Sequence, residues 1–339
     1  MPKPRAHVLR ATPADWTTID GLPAPFAGRV LELRDHLPLR KLGANLERIP
    51  AGARTCPVHY HLLEEEVFVV LEGTLEVREI VGDTACCYPL RAGEAVVYPP
   101  GTGIAHGFSN PGPDEAVVLS LSDEHWGEVC VYPESGKTML RPLGKVGVFG
   151  DGALDAAAWT RAERTFPTAH VDGLDRPAHV VPDGPMRDLG GPWGRQVSVA
   201  GGARKVLVNR DRLPPATVSA PLHWHSGDEE LVLVLAGSPT LRQQRGTHPA
   251  PNPRGTPAPT FDGEVEEVPL QPGDVLFFGP HVPVAHQLLN RSDDDVELLV
   301  VGLDDPGDVA VFPDVGEVFV KLLGQRGPFA ATGYWDGEA

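Results

Sequence analysis

Short apolar runs of four to seven residues, set off by Gly, Pro and Asn, recur along this chain from end to end. Glu66–Leu71, Thr74–Ile80, Ala95–Tyr98 and Ala116–Leu121 mark the first half; Leu231–Leu235, Asp274–Phe278 and Val296–Val301 mark the second. Each run is rich in β-branched or aromatic residues, which predicts strands. Helical periodicity is weak. Its best short candidate, Gly152–Glu163, falls between the halves and reads as part of a linker. Many short strands with regular punctuation predict an all-β protein in which each half is a sandwich or small barrel.

The halves are copies. His59, His61 and Glu66 recur 164 positions later as His223, His225 and Glu230, and Asn45–Pro50 recurs as Asn209–Pro214. From His106 and Asn110 onward the offset is 180, giving His286 and Asn290. The change of 16 (180 less 164) implies an insertion in the second half, and the Pro-rich stretch 243–260 is its expected host. The expected organisation is therefore a first barrel over 1–150, a linker over 151–165, and a second barrel over 166–339.

The repeated residues suit a metal. In a strand, residues two apart point to one face, so His59 and His61 can both aim inward with Tyr60 between them facing out. Residues 62–65 can turn the chain so that the next strand brings a carboxylate beside them. Of the three glutamates there, Glu66 is expected to be the ligand, because it lies seven before Gly73 as Glu230 lies seven before Gly237. His106 and His286 complete three nitrogens and one oxygen per half. That donor set favours Mn, Fe, Co, Ni, Cu or Zn over Mg or Ca. Four protein ligands around a six-coordinate ion leave two positions for an oxygen-chelating substrate, or for a substrate oxygen and O2.

Composition narrows the partners. The formal charge of −17, without a Lys/Arg cluster, argues against nucleic acid and anionic membrane. No apolar run reaches the length of a membrane span, and the N-terminal residues lack the apolar core of a signal peptide. Four cysteines without a Cys-x-x-Cys pair suggest reduced thiols and a cytoplasmic setting. Gly136-Lys-Thr138 lacks the glycine a phosphate loop needs five residues earlier and reads as a turn. His281, Cys56, Phe68 and Phe108 lie near the motifs; loop surface for the histidine and core filler for the others are the default readings.

These motifs resemble the cupin superfamily, and the resemblance covers nearly the whole chain as a two-domain bicupin. Its first motif is met by His59, His61, Glu66 and Gly73, with one extra residue after Gly52. Its second is met by Gly93, Pro99, Gly101, His106 and Asn110, with two extra residues before the histidine. In the second half His223, His225, Glu230, Gly237, Gly273, His286 and Asn290 match, while Ala216 replaces the opening glycine, Gly279 replaces Pro and His281 replaces the second glycine. The tail Tyr132-Pro-Glu-Ser-Gly136 is similar to that of a group of bacterial cupins of unassigned function. The resemblance implies two tandem double-stranded β-helix (jelly-roll) barrels, each with a metal inside.

Three functional readings follow. The first is a metal-dependent oxygenase or lyase, dioxygenase-like, acting on a small oxygen-chelating molecule. The second is a sugar-type isomerase or epimerase. The third is a non-catalytic small-molecule-binding cupin with structural metal. Oxalate decarboxylases resemble this chain in having two full sites, but their Ser-Glu-Asn lid is absent here. Gentisate dioxygenases usually keep ligands in one half only. No residue can be named as the proton-transfer group, since strand periodicity does not show which polar side chain reaches the pocket. Exposed barrel edges and the resemblance make a homodimer the expected assembly.

Overall fold

The computed structural model describes residues 7–19, 22–149, 154–155, 166, 168–172, 176–249 and 258–330. Among them strands dominate, and none of the helices is long and apolar enough to cross a membrane. Two compact units emerge.

The first unit contains a seven-stranded sheet in the spatial order Val180–Val181, Ala95–Tyr98, Glu66–Glu72, Ala116–Ser122, Gly43–Ile49, Arg29–Glu32, Thr17–Thr18. Opposite it lie Ala105–Ser109, Thr74–Val81, Thr84–Arg91 and Thr168–His170. Phe68, Val70, Val96, Tyr98 and Val118 from the first sheet meet Leu75, Val77, Tyr88, Leu90 and Phe108 from the second in one buried cluster. This is jelly-roll packing: alternate residues of each strand face inward and are removed from water together. The second unit repeats the plan. Its large sheet is centred on Val296–Leu303, with Glu229–Ala236 beside it, and its facing sheet is Val265–Pro269, Thr240–Arg245 and Val284–Leu289. Leu213, Val232, Leu241, Phe278 and Leu288 form its core.

The division expected at 150 and 166 does not follow the sheets. His7–Arg10 belongs to the second unit, and 166–185 to the first. Val8–Arg10 pairs antiparallel with Asp274–Leu276, whereas Val180–Val181 pairs with Ala95–Val96. Arg10 then ion-pairs with buried Asp274, and Arg176 with Glu94, at equivalent places. A short repeat marks the two strands, Ala6-His-Val8 and Ala178-His-Val180. Strand pairing is non-local, so sequence proximity misassigns both segments. The helical expectation over 152–163 lies mostly outside the described residues, and its described part, Leu154–Asp155, is strand. In the Pro-rich insertion, Gln243–Arg245 ends the strand Thr240–Arg245 and Thr247 bridges Thr260; 250–257 lie outside the described residues.

The motif asparagines brace turns. Asn110 donates from Nδ2 to the carbonyls of Ile49 and Asp114 and accepts the Gly52 N–H on its backbone oxygen. Asn290 does the same with Leu213, Asp294 and Ala216. The chain turns left-handed at this point in both halves, with φ of +76° at Gly52 and +61° at Ala216. Ala216→Gly is therefore expected to stabilise the protein in denaturant titrations. Relief of about 1–2 kcal/mol of left-handed strain exceeds the added unfolded-chain entropy of about 0.4–1 kcal/mol.

The reverse substitution at Gly237 should be costly. Its φ is +78°, and a Cβ there would sit 2.7 Å from the Asp295 carbonyl oxygen and 2.9 Å from Val296 Cα. Gly237→Ala should lose about 1–2 kcal/mol from the backbone and a further 1–3 kcal/mol, roughly, from overpacking. The denaturation midpoint reads both substitutions.

Candidate metal centres

In the first barrel, His59 forms an antiparallel bridge with His106, exchanging backbone N–H···O bonds of 3.0 and 2.8 Å. That bridge seats two imidazoles side by side, with ring centroids 5.3 Å apart. Glu66 opens the next strand, and its Oε2 lies 2.9 Å from His106 Nε2 and 3.2 Å from His61 Nε2. One potential ligand atom from each of His59, His61 and Glu66 falls within 4.8 Å of the others. His59 Nδ1–H donates to the Pro57 carbonyl at 2.9 Å, leaving Nε2 with the free lone pair.

The second barrel matches. His223 and His286 exchange backbone bonds of 3.1 and 2.8 Å, and His223 Nδ1–H donates to the Pro221 carbonyl at 2.8 Å. Glu230 Oε1 lies 3.0 Å from His286 Nε2. Ligand atoms of His223, Glu230 and His286 lie within 4.8 Å of one another. His225 stands edge-on to His223 with centroids 4.9 Å apart, and its Nδ1 is held by Asp308 at 2.6 Å. In each barrel the third imidazole is set by stacking: Tyr98 lies 3.6 Å from His106 and Phe278 lies 3.6 Å from His286, nearly parallel.

The three consecutive glutamates have three different surroundings. Glu64 is buried against Arg141 and the His125 N–H. Glu65 accepts the N–H groups of Arg204, Lys205 and Val206. Glu66 is the one of the three whose carboxylate lies against the Nε2 atoms of His61 and His106.

Burial by itself would raise the Glu66 and Glu230 carboxyls, but the surrounding histidines outweigh it and hold each at about 2. Burial and neighbouring His286 lower His223 to about 3. His61 behaves differently: burial opposes its charge, yet Cys130, Glu128 and Glu66 lift it to about 10. An anionic carboxylate set against the Nε2 atoms of neighbouring imidazoles suits a borderline transition-metal dication. Binding at the first site would displace the proton His61 carries.

Comparison with known proteins bears on the fold. The family model described as "Cupin domain" matches residues 45–122. A deletion mutant of Bacillus subtilis oxalate decarboxylase superposes over 86% of this chain and 76% of its own, at 15% identity and a TM-score of 0.52. The Lactobacillus farciminis oxalate decarboxylase formate complex superposes over 86% and 84%, at 14% identity and a TM-score of 0.51. Residues 45–122 thus match a cupin domain, and the chain as a whole shares the cupin fold of these structures. It is a bicupin, all-β, with two jelly-roll barrels. Among curated proteins, none matches it in sequence. At these identities the solved structures establish the fold and leave the reaction to the site itself.

Several residues of this bicupin's interior escaped the sequence reading. Glu47 pairs with Val118, which pairs with Val70, and it lies two before Ile49; Val118, Val70 and Ile49 are all inner-core residues, so Glu47 faces inward. Ser120 donates to its carboxylate, and burial with nearby Glu66 raises its pKa. Asp211, 164 positions later, lies two before core residue Leu213 and accepts from Gln196 at 3.0 Å; burial and Glu230 lift it to about 6. The signal was the repeat of Asn45–Pro50, which carries an acid at the same place in both copies.

Two thiols approach the first site only: Cys56 Sγ lies 3.7 Å from His59 Nδ1, and Cys130 Sγ lies 3.3 Å from His61 Nδ1. Alanines 220 and 310 take those places in the second. Phe68 and Phe108 pack around His106, with centroids at 5.5 and 6.1 Å. His281 packs 5.8 Å from Phe277, which alternates with Phe278 and so lies on the opposite strand face from the site.

The elevated Asp211 sets a pH signature. The folded chain binds its proton more tightly than the unfolded chain, so stability falls as pH rises from the unfolded value of 3.8 through about 6. In metal-free protein, Asp211→Asn should match wild type at pH 4 and exceed it at pH 8 by up to about 3 kcal/mol. Denaturant unfolding at the two pH values measures this.

Proposed function

We propose that each barrel holds one divalent transition-metal ion and that this bicupin is a metal-dependent oxygenase or lyase acting on a small molecule that chelates through oxygen. The observation that carries the reading is a pairing found twice. In each barrel two imidazoles and a carboxylate bring potential ligand atoms within 4.8 Å of one another, a third imidazole packs against them, and an inward-facing acid of raised pKa stands in the same interior.

His59, His61, Glu66 and His106 would hold one ion, and His223, His225, Glu230 and His286 the other. When bound, the ion supplies Lewis-acid polarisation of chelated oxygens or a path for electrons. The remaining work falls to the protein. Asp211, lifted to about 6, is suited to give and take a proton in the second interior, and Glu47, raised by burial, holds the equivalent place in the first. Tyr98 and Phe278 fix the plane of the third imidazole, and Phe68 and Phe108 keep water from the first site. The likeness to oxalate decarboxylases supports a small ligand, while the missing lid tells against that specific activity.

Elemental analysis of protein purified without added metal, for wild type, His59→Ala and His223→Ala, tests the proposal. Close to two equivalents of iron or manganese are expected in wild type, with one lost in each variant. Zinc, or a substoichiometric mixture, would overturn the oxygenase reading. Folded protein without metal, and unable to take it up, would overturn the metal sites themselves.

A further inference from the structure

Outside the four donors, each barrel repeats a second set of charges. Glu128 and Asp308 are related by the 180 offset, Glu64 and Asp228 by the 164 offset, and Arg141 and Lys321 by 180 again. Residue types change at all three positions, but charge sign does not. Both carboxylates of the first pair are buried. Glu128 Oε1 lies 3.4 Å from His61 Nδ1, while its two oxygens accept the N–H groups of Leu62, Leu63 and Glu64 at 2.9, 3.0 and 2.8 Å. Asp308 Oδ2 lies 2.6 Å from His225 Nδ1, while Oδ1 accepts the Gly227 N–H at 2.8 Å. One carboxylate thus grips both the histidine and the turn that carries the chain on toward Glu66 or Glu230.

The same groups offer no separate ion site. Glu64 is held by Arg141, and Asp228 by Lys321 at 2.9 Å, so a cation already neutralises each cluster. We infer that Glu128 and Asp308 are positioning residues for the two metal centres: each fixes its histidine with Nδ1 protonated and Nε2 turned inward. This rests on the metal reading above. A carboxylate bound to Nδ1–H also makes Nε2 a stronger donor, and loss of such a partner typically costs 10–100-fold in metal affinity.

The two sites should respond unequally. His225 has one close acceptor, since Asp228 stands 3.9 Å away and Ala310 occupies the position of Cys130. His61 has three neighbours at similar range: Glu128, Glu64 at 3.5 Å and Cys130 at 3.3 Å. Removing one should be partly covered by the others.

Zinc affinity measured by chelator competition tests this in full-length chains with one site disabled. Asp308→Asn is made in the His59→Ala background, and Glu128→Gln in the His223→Ala background. Asp308→Asn should weaken zinc at the remaining site by about 10–100-fold, and Glu128→Gln by less than about 10-fold. Cobalt(II) spectra of the loaded sites should change in the same order, and 15N spectra of the metal-free Asp308→Asn variant should show His225 losing its Nδ1–H tautomer. Wild-type affinity with an unchanged tautomer in Asp308→Asn would overturn the inference, as would a loss fully matched by melting of the metal-free protein. Failure of the parent single-site chains to bind zinc at all would instead overturn the metal reading, so the two failures are told apart.

Discussion

One antiparallel bridge in each barrel carries the site. His59 and His106, like His223 and His286, are far apart in sequence and meet because their own backbones exchange two hydrogen bonds. These imidazoles are therefore set by main-chain geometry, which is stiffer than a loop and insensitive to side-chain substitution nearby. The rest is arranged around that bridge. Asn110 and Asn290 brace the turn at one end, the Pro57 and Pro221 carbonyls fix the first imidazole, and an aromatic ring fixes the third.

The halves keep the same donors and differ in what surrounds them. Around the first site stand Cys56, Cys130, Tyr98, Ser120 and Tyr132; the corresponding residues in the second are Ala220, Ala310, Phe278, Val300 and Phe312. Tyr98 continues outward into a buried network, donating to Glu79 at 2.8 Å, with His179 2.6 Å away on the same oxygen. The second barrel puts the neutral Gln243 there, with His7 at 2.6 Å. The first interior thus carries thiols and hydroxyls where the second has alanine, valine and phenylalanine.

The alternation of His59 and His61, the spacing of Glu66 and Glu230, and the two offsets were legible because they are local or repeated. Glu66 could be singled out from Glu64 and Glu65 only through its copy, and the structure gives each of the three distinct neighbours. Glu47, Asp211, Glu128 and Asp308 were not legible, although each also recurs. Which face a strand presents depends on partners that sequence order does not specify. The boundary between the halves escaped for the same reason, since a two- or three-residue strand has no signature beyond the Ala-His-Val repeat.

That repeat marks an exchange of strands. Val8–Arg10 completes the sheet of the half that follows, and Val180–Val181 completes the sheet of the half that precedes. Two identical single-barrel chains that traded their leading strands would form a symmetric exchanged pair. Joining the end of one copy to the start of the other would turn both trades into internal connections. The present chain has that topology, with both trades made within a single polypeptide.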